Sequence, residues 1–244
     1  MIYFFTGKPG NGKSLHMAQI IYHSLLKGKN VISNIDINMH VFDKVKHREK
    51  MGQFIYIDNV YWLNSAYKGI NKNYKGSQDS KAHYSYIDGL YGFALNFHKK
   101  NNRGQMLENQ TILVLDECQE LFNTRSWSRK DRLEWCRFFR IHRHYGFNCY
   151  LISQDDKVID KQIRAILQKE LEHRCMNNYK LLGKFMGLLC GGKLFIVIER
   201  DYTLSGKKAS KMSSYYFRGK RKFYEFYDSY ALLHDMEQSS ASET

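Results

Sequence analysis

The chain opens MIYFFTGKPGNGKS (residues 1–14), an apolar run followed by a turn spaced by glycines. Ile2, Tyr3, Phe4 and Phe5 are residue types that favour strands. Gly7-Lys8-Pro9-Gly10-Asn11-Gly12-Lys13-Ser14 then fits G-x-x-x-x-G-K-[ST] at every fixed position. Glycines let the backbone take positive φ and curl successive N–H groups around a phosphate. The helix that follows points its positive end at the same anion. The expected nucleotide-binding set is Gly7, Lys8, Pro9, Gly10, Asn11, Gly12, Lys13, Ser14 and Leu15, with Lys13 on the terminal phosphates and the Ser14 hydroxyl on Mg²⁺. Chance would supply the four fixed positions in a chain of this size with odds on the order of 1 in 100. ATP with Mg²⁺ is therefore the expected ligand.

Downstream, Leu15, Ala18, Ile21, Tyr22 and Leu25 recur at helical spacing, with Gly28 placed to cap the helix. Residues 31–37 (VISNIDI) read as a second strand ending in polar residues. Strand, P-loop, helix and strand make a βαβ unit, which requires a parallel sheet. Residues 54–57 suggest a third strand or a hairpin arm. Residues 59–105, rich in Tyr, Asn, Lys and Gly, read as a polar insertion in which 88–98 alone is helical. Its tyrosines fit a solvated surface better than a set of base-stacking platforms.

Thr111-Ile112-Leu113-Val114-Leu115-Asp116-Glu117 has the form of a buried strand ending in two carboxylates. An Asp at such a strand end holds magnesium on its side of the site, and the Glu beside it deprotonates an attacking water. By itself the pattern is weak; downstream of a P-loop, in that order, it is strong. Asp116 is the metal-side acid and Glu117 the base. Residues 129–144 read as a basic helix with Arg137, Arg140 and Arg143 along one face, either solvated or supplying an arginine to a neighbouring subunit. Residues 147–153 form another strand, whose tip places Gln154 to sense the γ-phosphate. Residues 160–174 read as an amphipathic helix capped by Asp160, with Ile163, Ile166, Leu167 and Leu171 on one face. A late strand is expected at 194–198. The stretch 205–222 interleaves Lys207, Lys208, Lys211, Arg218, Lys220, Arg221 and Lys222 with aromatics, a pattern suited to single-stranded nucleic acid or to an anionic membrane surface.

The composition sets outer bounds. With 244 residues, 43% of them hydrophobic, the chain suits one α/β domain better than two. It divides as an ATPase domain over 1–204, a basic and aromatic segment of the same domain over 205–236, and a small polar tail over 237–244 that is expected to be disordered. The formal charge of +14 favours an anionic partner. Five cysteines without a C-x-x-C pair argue against a disulfide framework or zinc and for a reducing compartment. The first strand begins at residue 2, so no secretory leader is expected. No apolar run reaches the ~18 residues that a membrane span needs.

The order of these motifs resembles the zonular occludens toxin-like family, which includes assembly ATPases of filamentous phages. FFTGKPGNGKSLHM, LVLDECQELF at 113–122, HRHYGFNCYLISQD at 142–155 and IDKQIR at 159–164 carry the likeness, and FYEFYDSY at 223–230 resembles the aromatic close of the family's ATPase domain. The P-loop is shared by many NTPases; the 142–164 region is the family-specific part. The resemblance implies kinship with DNA-pumping ATPases of the FtsK and HerA type, a homo-oligomeric ring (a hexamer among the options), and phage assembly and export at the cytoplasmic face of the host inner membrane, with single-stranded phage DNA or other assembly proteins as partners. It assigns phosphate and metal roles to Lys13 and Ser14, the acidic pair to Asp116 and Glu117, and the strand-end sensor to Gln154. Family members continue into a transmembrane helix and an extracytoplasmic domain that this chain does not show. It therefore corresponds to the ATPase portion or meets the membrane through a partner. Toxicity is not carried over.

Two rival functions remain at this point. A small-molecule or nucleoside kinase would need an acceptor pocket and a lid, and it would work as a monomer. A nucleotide-dependent scaffold or switch would bind ATP without turning it over appreciably. Glu117 beside Asp116 favours water as the acceptor, and the intact set Lys13, Ser14, Asp116 and Glu117 favours hydrolysis.

Overall fold

The computed structural model describes residues 1–64, 86–126, 129, 131–178, 193–203, 209 and 211–227. Eight strands form one sheet: β1 (Ile2–Thr6), β2 (Asn30–Ser33), β3 (Phe54–Tyr56), β4 (Thr111–Leu115), β5 (Phe147–Ile152), β6 (Lys169–Cys175), β7 (Leu194–Asp201) and β8 (Lys211–Arg218), in the order β3-β2-β4-β5-β1-β6-β7-β8. From β3 to β6 every pairing is parallel; β6–β7 and β7–β8 are antiparallel. The helices are α1 (Lys13–Leu26), α2 (Asn59–Asn64), α3 (Tyr86–Phe97), α4 (Arg132–Ile141), α5 (Lys161–Arg164) and α6 (Arg221–Phe226). This is the expected mostly parallel α/β sheet, and β3 runs parallel to β2 rather than as a hairpin arm.

Side chains alternate across a strand, so each central strand feeds two apolar layers. On one face Ile2, Phe4, Leu113, Leu115 and Leu151 pack with Leu90 of α3 and Trp135, Phe138 and Phe139 of α4. On the other, Phe5, Val31, Val114 and Ile152 pack with Met17, Ala18, Ile21 and Leu25 of α1 and with Phe226 of α6. The strands are nearly all apolar because both faces are covered. Gly28 follows α1 at φ 75, as a C-terminal stop requires.

Several expectations need correction. The helix read over 160–174 is only α5; Lys169–Cys175 is strand β6. Ile163 and Leu167 belong to one apolar layer and Leu171 to the other, so the apparent helical stripe joined two faces of the sheet. Asp160 does cap α5, accepting from the Gln162 amide at 2.7 Å. The strand at 31–37 ends at Ser33, where Ser33 Oγ turns the chain by accepting from the Ile35 amide at 2.9 Å. The basic helix begins at Arg132, ends at Ile141 and passes into a 3₁₀ turn over His142–Tyr145. The region that begins at 59 is not merely polar: α2 buries Trp62 against Trp135, and α3 buries Ile87, Leu90 and Ala94. In the aromatic close Phe223 and Phe226 are buried and Tyr224 is exposed, residues 228–230 lie outside the described residues, and Phe217 just before it stacks on Phe195. The middle of the insertion (65–85), Lys207 and Lys208, and the tail at 237–244 lie outside the described residues.

Candidate active site

The P-loop links β1 to α1, and its glycines are needed for two different reasons. Gly7 has φ 138, and a Cβ there would stand 2.6 Å from the His173 carbonyl oxygen on β6. Gly12 has φ 88, and a Cβ there would stand 2.7 Å from the Phe195 ring on β7. The loop therefore rests on the strands to one side of β1, and the Asn11 side chain ties it down by donating to the same His173 carbonyl at 2.9 Å. Beneath it, His16 of α1 and His173 meet through Nδ1 and Nε2 at 2.8 Å, both buried. The Leu171 carbonyl lies 2.9 Å from His173 Nδ1 and fixes that proton, so His173 Nε2 accepts from His16 Nδ1. Burial holds His16 at a pKa of about 4 and His173 at about 3, so both are neutral. Phe217 stacks on His16 from above.

Lys13 is buried, and its ammonium donates to the Gly7 carbonyl at 2.8 Å. Desolvation pushes its pKa below the ordinary lysine value, against the pull of Asp116 and Glu117. With no acid in the first turn of α1, the positive end of the helix stays open to an anion. The loop has the donors, the positive φ values and the cation that a polyphosphate needs.

β5 lies between β1 and β4, so the tip of β4 faces the P-loop across one intervening strand. There Ser14 Oγ donates to Asp116 Oδ2 at 2.9 Å, joining residues 102 positions apart. Desolvation raises the Asp116 carboxyl to a pKa of about 6, although Ser14 and the Glu117 amide hydrogen-bond it and Lys13 lies nearby. A hydroxyl oxygen beside a half-buried, partly desolvated carboxylate suits a small hard cation. These two oxygens fit Mg²⁺, which takes few protein ligands and keeps several waters.

Glu117 follows with φ 46, its amide donating to Asp116 Oδ1 at 2.9 Å and its carboxylate accepting from Gln119 Nε2. Gln154, exposed, sits just past the tip of β5 between the two motifs. The basic face is split. Arg143 leaves the helix and pairs with Glu108 at 2.8 Å, while Arg137 and Arg140 remain exposed on α4. They line an open cavity of about 300 Å³ with Leu133, Cys136, Ile141 and Gln162.

Sequence reading overlooked Asn34, just past the end of β2. Its side chain clamps the Asp116 backbone from both sides, accepting from the Asp116 amide and donating to the Asp116 carbonyl, each at 2.7 Å. Asn59 Oδ1 shares the same Nδ2 at 2.7 Å, and Asn59 in turn donates to Glu120 Oε2 at 2.7 Å. His16, His173 and Gln119 were overlooked as well, as was the tie from Asn11 to the His173 carbonyl. An amide directly after a strand that must pair beside β4 is the one signal that pointed to Asn34.

A family model described as "Zonular occludens toxin (Zot)" matches residues 1–82 and 92–231. The chain is similar to "Gene 1 protein" of Salmonella phage IKe, at 27% identity over 201 residues, covering 79% of this chain and 46% of that protein. "Gene 1 protein" of Enterobacteria phage M13 is 26% identical over 196 residues, covering 79% and 48%. The chain thus spans about half the length of these curated relatives. Among solved structures, the N-terminal domain of zonular occludens toxin from Neisseria meningitidis superposes with a TM-score of 0.51 at 17% identity, covering 93% of this chain and 98% of that one, a likeness of fold. Among the described residues, no helix is long and apolar enough to cross a membrane.

Proposed function

The chain belongs to the zonular occludens toxin family, and from that premise we propose that it is an Mg²⁺-dependent ATPase driving assembly and export of a filamentous phage. The observation that carries this reading is the Ser14–Asp116 hydrogen bond, which unites the phosphate loop with the acidic strand end.

In the proposed reaction, Lys13 and the P-loop amides hold the β- and γ-phosphates, and Lys13 leaves the Gly7 carbonyl to do so. Ser14 and Asp116 would hold Mg²⁺, which supplies neutralisation of phosphate charge. Glu117 takes one proton from a water whose oxygen bonds to the γ-phosphorus. The bond from that phosphorus to the bridging oxygen breaks, and ADP leaves with the electron pair. Gln154 orients the water or senses the γ-phosphate from the tip of β5. Clamped by Asn34, the backbone of Asp116 keeps the acid in register with Ser14.

The finer reading is a homo-oligomeric ring acting on single-stranded phage DNA at the cytoplasmic membrane face. Its supports are the family membership and the +14 charge. With Arg143 engaged by Glu108, Arg137 or Arg140 is our choice for an arginine offered to a neighbouring subunit's nucleotide.

The test is steady-state ATP hydrolysis of Glu117→Gln beside wild type. The variant should keep nucleotide affinity within about threefold and lose about 10²-fold or more in turnover. Lys13→Ala should lose both. Unchanged turnover in Glu117→Gln would remove Glu117 as the base.

A further inference from the structure

We propose that Gln119 is a positioning residue that keeps the base Glu117 in a resting position and sets the rate of unstimulated hydrolysis. The inference rests on the reading of Glu117 as base.

In this structure the groups assigned to catalysis are each engaged by the protein itself. Lys13 donates to the carbonyl of Gly7 and Ser14 to Asp116. Glu117 completes the pattern: its carboxylate accepts from the Gln119 amide, two residues on. The backbone at Glu117 stands at φ 46, in the left-handed region that residues other than glycine seldom occupy. Something local has to favour that conformation, and the turn around it is well anchored. The Cys118 amide donates to the Ile152 carbonyl on β5 at 3.0 Å, and the Glu120 amide donates to the Glu117 carbonyl at 2.9 Å.

The orientation of the Gln119 amide is informative in itself. Its Oε1 is buried without a hydrogen-bond partner among the described residues. Turning the amide over would set that oxygen against the Glu117 carboxylate, oxygen facing oxygen. The side chain thus keeps a buried acceptor unpaired while its NH₂ group serves Glu117, a cost that an amide with no role here would not be expected to bear. A carboxylate that accepts such a bond is held in one direction. Release of Gln119 frees a lone pair of Glu117 for the proton of water and lets the residue leave the left-handed conformation.

Two substitutions test this with ATP and Mg²⁺ on the full chain. Gln119→Leu removes the donor at similar volume. It should raise unstimulated kcat threefold or more and leave KM within twofold. Gln119→Met removes the donor while keeping the length of the side chain, and should raise kcat in the same way. A structural role alone would lower kcat or raise KM in both. Unchanged or reduced kcat in Gln119→Leu, in protein whose nucleotide affinity and melting temperature match wild type, overturns the proposal. If Gln119→Leu does not fold, unchanged or reduced kcat in Gln119→Met overturns it alone. Glu117→Gln in the same series separates the two ideas: full activity there removes the base, whereas inactivity there with a silent Gln119 removes only the restraint.

Discussion

Replacing Asp116 by Asn should make the nucleotide-free protein more stable while removing its response to Mg²⁺. Oδ1 and Oδ2 of Asp116 accept from the Glu117 amide and from Ser14 Oγ, both at 2.9 Å. Asparagine keeps the first bond through its oxygen, and a hydroxyl can reverse its role and accept from the new NH₂. The substitution therefore removes charge and little else. Desolvation has raised this carboxyl from its ordinary 3.8 to about 6, so the ionised form costs folding free energy wherever it is populated. Two pKa units correspond to about 3 kcal/mol, and the contact that Asp116 keeps with solvent screens part of it, leaving about 1.5–3 kcal/mol. In a domain of this size that is roughly 3–10 °C in Tm.

The sign is specific to pH. A carboxylate whose folded pKa is raised costs stability above pH ~6, and the cost fades as pH falls from there toward 3.8. Melting curves of wild type and Asp116→Asn without nucleotide should differ most at pH 8 and by only about a third as much at pH 4.5. Addition of Mg²⁺ with a non-hydrolysable ATP analogue at 100 times its Kd should stabilise wild type by about 2.7 kcal/mol and the variant far less, so that most or all of the variant's advantage is lost. A variant that melts at or below wild type at pH 8 without nucleotide would refute the reasoning. So would a difference that stays constant from pH 8 to pH 4.5.

Acid should act in the opposite direction through the buried histidines. His16, His173 and His142 are held near 4, 3 and 4, so their neutral forms support folding fully above pH ~6.5 and lose about 2 kcal/mol each by pH 5. Urea unfolding at pH 7 and pH 5 measures this, and His16→Gln should flatten the dependence. Gly12→Ala should cost about 2–4 kcal/mol, because it combines a left-handed backbone with a Cβ pressed on the buried Phe195, and should weaken ATP binding as well. Asn34→Ala leaves the Asp116 amide and carbonyl without their side-chain partner and should cost about 1–3 kcal/mol in chemical denaturation while lowering affinity for Mg²⁺-nucleotide.

The chemistry-bearing ends of β1 and β4 were legible because local sequence specifies them. A glycine-spaced turn and a buried strand that ends on acids need no knowledge of their neighbours. The strand β6 was not legible, because helical spacing at Ile163, Ile166, Leu167 and Leu171 arises by accident when a short helix and a strand bury opposite faces of one sheet. Its alternation, buried at Leu171, His173 and Cys175 with half-buried residues between, is a period of two that becomes decisive only once β1 is known to need a partner there. Gln119 and Asn34 escaped notice for a related reason: an amide carries no local signature of the backbone or carboxylate that it will meet across space.

Strands β6, β7 and β8 form the floor of the phosphate site. Phe195 closes the space beside Gly12, the His173 carbonyl closes the space beside Gly7, and the His173 ring bonds His16 in the first turns of α1. Phe217 then covers both His16 and Phe195 from β8. The P-loop sequence thus supplies the capacity to curl around a phosphate, whereas the antiparallel strands β7 and β8, together with β6, fix where that curl sits. It follows that a packing change at Phe217, remote in sequence from every motif, should alter nucleotide affinity. The contact runs through His16, two residues after Ser14, and leaves Asp116 and Glu117 untouched. Phe217→Leu should therefore raise KM for ATP while leaving kcat at saturation near wild type. A loss confined to kcat would mean that these strands act on the acids instead.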